Sequence, residues 1–206
     1  MTVKLFSQIE QYVAALPPLP AEDRREALDA LARFLRAKVA AGEVPDVIFI
    51  CTHNSRRSHF GQAWAQALAG HFGLPLRAFS GGTEATACNP RTIRALEQAG
   101  FRAEQLDESP NPRYHIRFGE GGEGIEAWSK VYSDPANPRS GFGAVMTCDS
   151  ANEACPVVLG AAARFPILYE DPKRFDGSPE EGTAYAERCL QIASELMYVM
   201  RQAAAR

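Results

Sequence analysis

Residues 46–69 read D-V-I-F-I-C-T-H-N-S-R-R-S-H-F-G-Q-A-W-A-Q-A-L-A. The unbroken apolar run V-I-F-I predicts a strand buried on both faces, and the small and apolar residues after Ser58 predict a helix reaching about residue 72. Between them the polar stretch from Cys51 to Arg57 must be the turn that joins strand to helix. A cysteine at the end of such a strand, with an arginine at the start of the next helix, is a candidate nucleophile beside a candidate anion ligand. The competing reading is a buried thiol with an exposed arginine.

Outward from this unit the same rhythm repeats. L-R-A-F-S predicts a short strand, N-P-R-T-I-R-A-L-E-Q-A a helix, A-V-M-T a further strand, and the segment from about Gly182 a long helix. Strand and helix in alternation predict an α/β fold, a small parallel sheet flanked by helices, whose ligand sits beyond the carboxyl ends of the strands. Cys51, Cys148 after G-A-V-M-T, and Asp171 after F-P-I-L-Y-E all fall at such ends. Residues 107–141 break the rhythm: Y-H-I-R-F and I-E-A-W-S-K-V-Y flank G-E-G-G-E-G, which predicts an inserted β-hairpin placed to cover the site. Residues 3–16 and the following A-E-D-R-R-E to Gly42 predict two helices, the second with acids leading, bases trailing and a glycine cap. The expected division is an N-terminal helical hairpin over 1–44, serving as a cap or dimerisation element, and a domain over 45–206.

With 206 residues, 46% hydrophobic and 23% charged, the chain has the composition of one globular domain with a sizeable core. No stretch approaches the roughly 18 to 20 apolar residues of a membrane helix, and M-T-V-K-L-F-S-Q-I-E lacks the core of a signal peptide, so a cytoplasmic protein without a membrane partner is expected. The net charge of -3 gives no footprint for nucleic acid. Five cysteines without a secretory signal make a fixed disulfide framework unlike this chain, and four histidines form no zinc spacing with them, so no metal is expected.

The turn at Cys51 aims backbone N–H groups and the positive end of a helix dipole at one place, which suits an oxyanion and stabilises a thiolate. Arg57 can present two parallel donors to a tetrahedral oxyanion, a geometry lysine lacks, and Ser58 can donate to the sulfur. Thr52, His53, Asn54, Ser55 and Arg56 complete the expected oxyanion-binding loop, Asn54 being the residue that tolerates a left-handed conformation.

The stretch C-T-H-N-S-R-R-S resembles the C-x5-R-S phosphate loop of low-molecular-weight protein tyrosine phosphatases. It is closer still to the C-T-x-N-S-x-R-S form of the thioredoxin-coupled arsenate reductases that share their fold. S-G-G-T-E-A-T-A-C-N-P-R-T-I-R-A-L, M-T-C-D-S-A-N-E-A-C-P and Y-E-D-P extend the resemblance over most of residues 46–200. It implies a relay: Cys51 attacks arsenate, Asp171 protonates the departing oxygen, Cys148 attacks Cys51 to release arsenite, and Cys155 attacks Cys148 to leave a disulfide that thioredoxin reduces. Two electrons without a bound cofactor call for such thiols. Arsenate, with phosphate or sulfate as analogues, and thioredoxin are thus the implied partners, and a homodimer stays open. The stretch from Cys148 to Cys155 must fold back for its sulfurs to meet.

Departures from the family pattern are His53 for a loop glycine, Arg56 for a second loop cysteine, and Gln62 for the glutamate of a monovalent-cation site that Asn54 and Ser80 would otherwise share. Arg56 is expected to face solvent. Cys88, Cys189 and Trp64 are expected in the core, and Asp171 can also be read as turn chemistry. Two other functions stay open: a tyrosine phosphatase with Tyr114, Trp128 and Tyr132 walling the pocket, and a non-enzymatic arsenic or redox sensor.

Overall fold

The V-I-F-I run forms the centre of strand β1 (Asp46–Cys51), every residue of which beyond Asp46 is buried. Before it come α1 (Ser7–Ala14) and α2 (Glu22–Ala40); after it α3 (Arg57–Phe72), β2 (Arg77–Gly82), α4 (Pro90–Gln98), β3 (Arg102–Gln105), β4 (Tyr114–Arg117), β5 (Gly124–Ala127), β6 (Phe142–Met146), α5 (Asp149–Ala154), β7 (Ala161–Pro166) and α6 (Glu181–Ala204). A single 3-10 turn, Pro172–Phe175, precedes α6. The computed structural model describes residues 2–17, 19–154 and 157–205. Cys155, expected as the third relay thiol, and Pro156 lie outside the described residues.

Four strands pair in the order β2-β1-β6-β7, all parallel. Chain connections from β1 leave first toward β2 and later return to β6 on its other side. The crevice where an α/β sheet accepts a ligand therefore opens above the end of β1. The period of two in the strand explains its composition. Val47 and Phe49 join a large core with Phe60, Trp64, Leu68, Ile192 and Leu196, while Ile48 and Ile50 join a smaller cluster with Met146, Cys148 and Ala151. A strand with both faces covered needs an unbroken apolar sequence.

The insertion adds a second sheet, β3-β4-β5, antiparallel throughout. The hairpin of β4 and β5 is the one that the sequence predicts. Strand β3 is not legible there: R-A-E-Q is short and mostly exposed, and it is a strand because β4 pairs with it. The expected first helix begins later than its periodicity suggests. Leu5 bridges to Gly119, and Phe6 N donates to Phe118 O, so the residues before Ser7 extend along the insertion instead of coiling. Strand β7 also ends earlier than expected. Its ladder stops at Pro166, and Tyr169 N donates to Thr147 O beyond it, leaving Asp171 at the head of the 3-10 turn.

Helix α2 closes as the sequence predicts, with Gly42 at φ +76. Its Leu28, Leu31 and Leu35 are buried in the same core as α3 and α6, each contributing about 2 kcal/mol. Arg24 donates from Nε and Nη2 to the two carboxylate oxygens of Glu195 on α6, at 3.0 and 2.9 Å, and from Nη1 to Leu168 O at 2.8 Å. Glu195 is 4% exposed. Truncating Glu195→Ala strands a mostly desolvated guanidinium, and the expected result is a loss of about 3 kcal/mol in urea unfolding, with Glu195→Gln losing less. Equal losses for the two variants would mean that packing and not charge carries the contact.

No helix among the described residues is long and apolar enough to cross a membrane.

Candidate active site

The turn from Cys51 to Arg57 wraps over the end of β1. Asn54, at its middle, sits at φ +44, the one positive φ outside glycine among the described residues. Its side chain explains why it is asparagine. Lys130 N donates to Asn54 Oδ1 at 3.0 Å, which fixes the amide so that Nδ2 donates to Ser58 Oγ at 2.8 Å. Ser58 Oγ in turn lies 3.1 Å from Cys51 Sγ, with its own hydrogen available for the sulfur. A thiolate at Cys51 thus has a positioned hydroxyl donor. The N–H groups of His53, Asn54, Ser55 and Arg56 have no backbone acceptor among the described residues, an arrangement suited to an anion.

His59, one helical turn beyond Asn54, braces the loop from below. Its Nε2 lies 2.8 Å from Asn54 O, so that nitrogen carries the proton, and Nδ1 is left to accept from Ser80 Oγ at 3.3 Å. Burial, and then the nearby Lys130 ammonium, push the imidazole down to about 3. Gly82 braces it from the side. A Cβ there would run into Glu84 O and would stand 2.6 Å from Thr52 O and 2.8 Å from Asn54 N, so the loop passes where only glycine fits. The S-G-G-T sequence carries that signal, since glycine at a strand end marks close backbone approach.

Arg57 is 9% exposed, and its guanidinium reaches across to the segment after β7. Nη1 donates to Tyr169 O at 2.9 Å and Nη2 to Asp171 Oδ2 at 2.6 Å. Its Nε is buried without a hydrogen-bond partner among the described residues. Asp171 Oδ1 caps the 3-10 turn by accepting from Lys173 N at 3.0 Å. Asp171, 114 positions beyond Arg57, is thereby brought to the loop that Cys51 and Arg57 share. Cys148 reaches it as well: its Sγ is 3.5 Å from Thr52 Oγ1, and it packs in the same small cluster as Cys51.

Arg56 does not face solvent. It is 8% exposed, donates from Nε to Tyr185 OH at 2.7 Å, and has Nη2 3.5 Å from Asp176 Oδ2. Tyr185 OH passes a hydrogen bond on to Asp176 Oδ1 at 2.9 Å. Sequence reasoning missed these partners, which lie on the turn after Asp171 and on α6. The insertion supports the loop from behind: Ser129 Oγ donates to His53 O at 2.8 Å, and Val131 bridges Gly82. Trp64 is fully buried, stacked on Tyr12 and edge-on to Phe101, as expected. Cys88 and Cys189 are buried too, and burial pushes each thiol up to about 12, which leaves both inert at neutral pH. Among the described residues no group of three or more His, Cys, Asp or Glu side chains is arranged to hold a metal ion.

Residues 46–113 match the sequence profile of the low molecular weight phosphotyrosine protein phosphatase family, and these residues contain the whole loop and both of its braces. Over this segment, about a third of its length, the chain is similar to that family. Two named relatives are similar over a longer stretch. The arsenate reductase of Bacillus licheniformis is 25% identical over 142 residues, 69% of this chain and 84% of that protein. That of Bacillus subtilis is 26% identical over the same length and shares. Among solved structures, a low molecular weight phosphotyrosine phosphatase from Vibrio cholerae aligns with TM-score 0.49 at 14% identity, covering 76% of this chain and 94% of that one.

Proposed function

We propose that the chain reduces arsenate to arsenite through three cysteines, with thioredoxin as the electron donor. The observation that carries this reading is Cys148 Sγ packed 3.5 Å from the loop at Thr52, in one cluster with Cys51. Ester hydrolysis on a loop of this kind needs one cysteine; a second thiol beside it answers the need of a two-electron reduction. Similarity to named arsenate reductases over most of the chain supports the same reading.

In the proposed cycle the loop N–H groups and Arg57 Nε bind the oxyanion. Cys51 thiolate attacks arsenic, and a hydroxyl leaves as water with a proton from Asp171. The proton comes in with the substrate: once Arg57 Nη2, now 2.6 Å from the Asp171 carboxylate, turns to the oxyanion, that carboxylate can accept a proton from a hydroxyl of the bound arsenate and hand it to the leaving oxygen. Substrate binding would thereby free the acid. Cys148 thiolate next attacks Cys51 Sγ: the S–S bond forms, the S–As bond breaks, and its electron pair reduces arsenic from the +5 to the +3 state. Cys155 then attacks Cys148 and expels Cys51 as thiolate. Closing a bond between positions 148 and 155 needs Cα atoms within about 7 Å. Helix α5, which occupies Asp149–Ala154, advances about 9 Å at the usual rise per residue, so it must unwind at this step.

The test is NADPH oxidation by thioredoxin reductase, thioredoxin and the purified protein, with arsenate or with an aryl phosphate as substrate. Arsenate-dependent turnover is the expected result. Steady aryl phosphate hydrolysis with no arsenate-dependent oxidation would overturn the reading in favour of a phosphatase. Tyr132, packed against the Cys51 cluster, is the feature that favours this alternative.

A further inference from the structure

A pocket of about 290 Å³ has a lining that includes Gln62, Gln66, Phe79, Trp128 and Lys130. Its chemistry is incomplete in a specific way. Lys130 is 4% exposed, and its ammonium sits 4.0 Å from the centre of the Trp128 ring. No carboxylate comes within ion-pair distance of it among the described residues. Glu126, which also lines the pocket, lies 3.9 Å from Arg113, and Asp134 caps its own turn through Ala136 N. Gln62 is likewise 4% exposed; its Nε2 donates to Glu126 O at 3.4 Å, but its buried Oε1 has no partner among the described residues. Gln66 does not compensate, because its amide is already spent on Leu76 O and Ala78 N.

A buried cation without an anion and a buried acceptor without a donor are both costly. One ligand would satisfy the two: a small oxyacid anion bearing a negative oxygen for Lys130 and a hydroxyl for Gln62, small enough to sit beside the Trp128 ring, over which Lys130 and Arg113 already lie at 4.0 and 4.5 Å. We propose that this pocket is a binding site for bicarbonate or a small hydroxycarboxylate, separate from the oxyanion loop. Burial lowers the Lys130 ammonium to about 8, outweighing the opposing pull of the more distant Asp134 and Glu126 carboxylates. The site is coupled to the loop through Lys130. The backbone N–H of Lys130 is the donor that fixes Asn54, and Asn54 in turn fixes Ser58 beside Cys51. Holding the Lys130 side chain would therefore steady the loop. This inference does not depend on the reductase reading.

Trp128 supplies the measurement, because the chain has two tryptophans and the other, Trp64, is fully buried in the core. Bicarbonate and glycolate are titrated against tryptophan fluorescence at constant ionic strength set with chloride, using wild type, Lys130→Met, Gln62→Leu and Cys51→Ser. A saturable change is expected in wild type and in Cys51→Ser. Half-saturation should rise about tenfold or more in Lys130→Met, as for loss of a charge-assisted hydrogen bond, and by less in Gln62→Leu. Near-UV circular dichroism confirms that each variant is folded. Absence of a saturable change in wild type, or equal half-saturation in both pocket variants and wild type, would overturn the proposal. Loss of the response in Cys51→Ser alone would place the anion in the loop and overturn it as well.

Discussion

Replacing Cys51 by serine takes arsenate-dependent NADPH oxidation down by about 10⁴-fold or more, the scale on which loss of a covalent nucleophile is felt. Aryl phosphate hydrolysis, if the loop supports it, falls with it, because both reactions open with attack by the same sulfur. Cys148→Ser separates them. Serine at 148 keeps the contact with Thr52 but cannot form a disulfide bond, so the proposed cycle would stop at the arsenic adduct on Cys51 and multiple turnover is expected to fall to the level of Cys51→Ser. Ester hydrolysis passes through no thiol exchange and stays within about threefold of wild type, the range of an ordinary neighbouring substitution that leaves transition-state contacts in place. Steady-state NADPH oxidation and p-nitrophenol release, measured on the same preparations, give the two columns of the comparison. Arsenate turnover in Cys148→Ser at more than about a tenth of the wild-type rate would remove this cysteine from the relay.

The second large effect is on stability in acid. An unfolded histidine takes up its proton near 6.5, whereas His59, buried under Asn54 and close to Lys130, does so only at about 3. Between those values the unfolded chain holds one more proton than the folded one, so acidification favours unfolding. The contribution of His59 is fully present above about pH 6.5 and is lost at about 1.4 kcal/mol per pH unit below it. His59→Gln keeps an N–H for Asn54 O and removes the titration. Urea midpoints at pH 7.5, 6.0 and 5.0 are expected to fall more steeply for wild type than for the variant, by about one proton's slope. Parallel profiles would show that His59 does not control the acid limit.

Much of the site is legible in the sequence because it is local. Strand, loop and helix from Asp46 to Phe72 are contiguous, and one run of residues specifies the turn, the left-handed Asn54, the hydroxyl beside the sulfur and the arginine. The parallel sheet follows for a similar reason: a strand such as V-I-F-I, apolar at every position, has to be covered on both faces. What the sequence does not disclose is long-range. Arg56 reads as a surface residue until Tyr185, 129 positions later, turns out to accept its Nε proton. Lys130 falls within I-E-A-W-S-K-V-Y, an arm of the expected hairpin, and nothing there announces that its backbone orients the amide that positions Ser58. Strand β3 has no apolar alternation of its own, and the start of α1 is set by a bridge to Gly119 in the insertion, which no local period records.

The ion pair between Arg24 and Glu195 bears on where this molecule can be divided. Arg24 also holds the Leu168 carbonyl and lies 5.0 Å from the centre of the Tyr169 ring; the carbonyl of Tyr169 receives Arg57, and two residues later comes Asp171. The second helix is therefore a tether on the Asp171 segment as well as a wall of the core. A boundary drawn where similarity to the phosphatase profile begins, at residue 46, is a boundary of sequence similarity and not of mechanics. Grafting the loop-bearing half onto another protein, or trimming the chain to it, would leave the aspartate segment without its anchor, and catalytic geometry would be lost together with thermal stability.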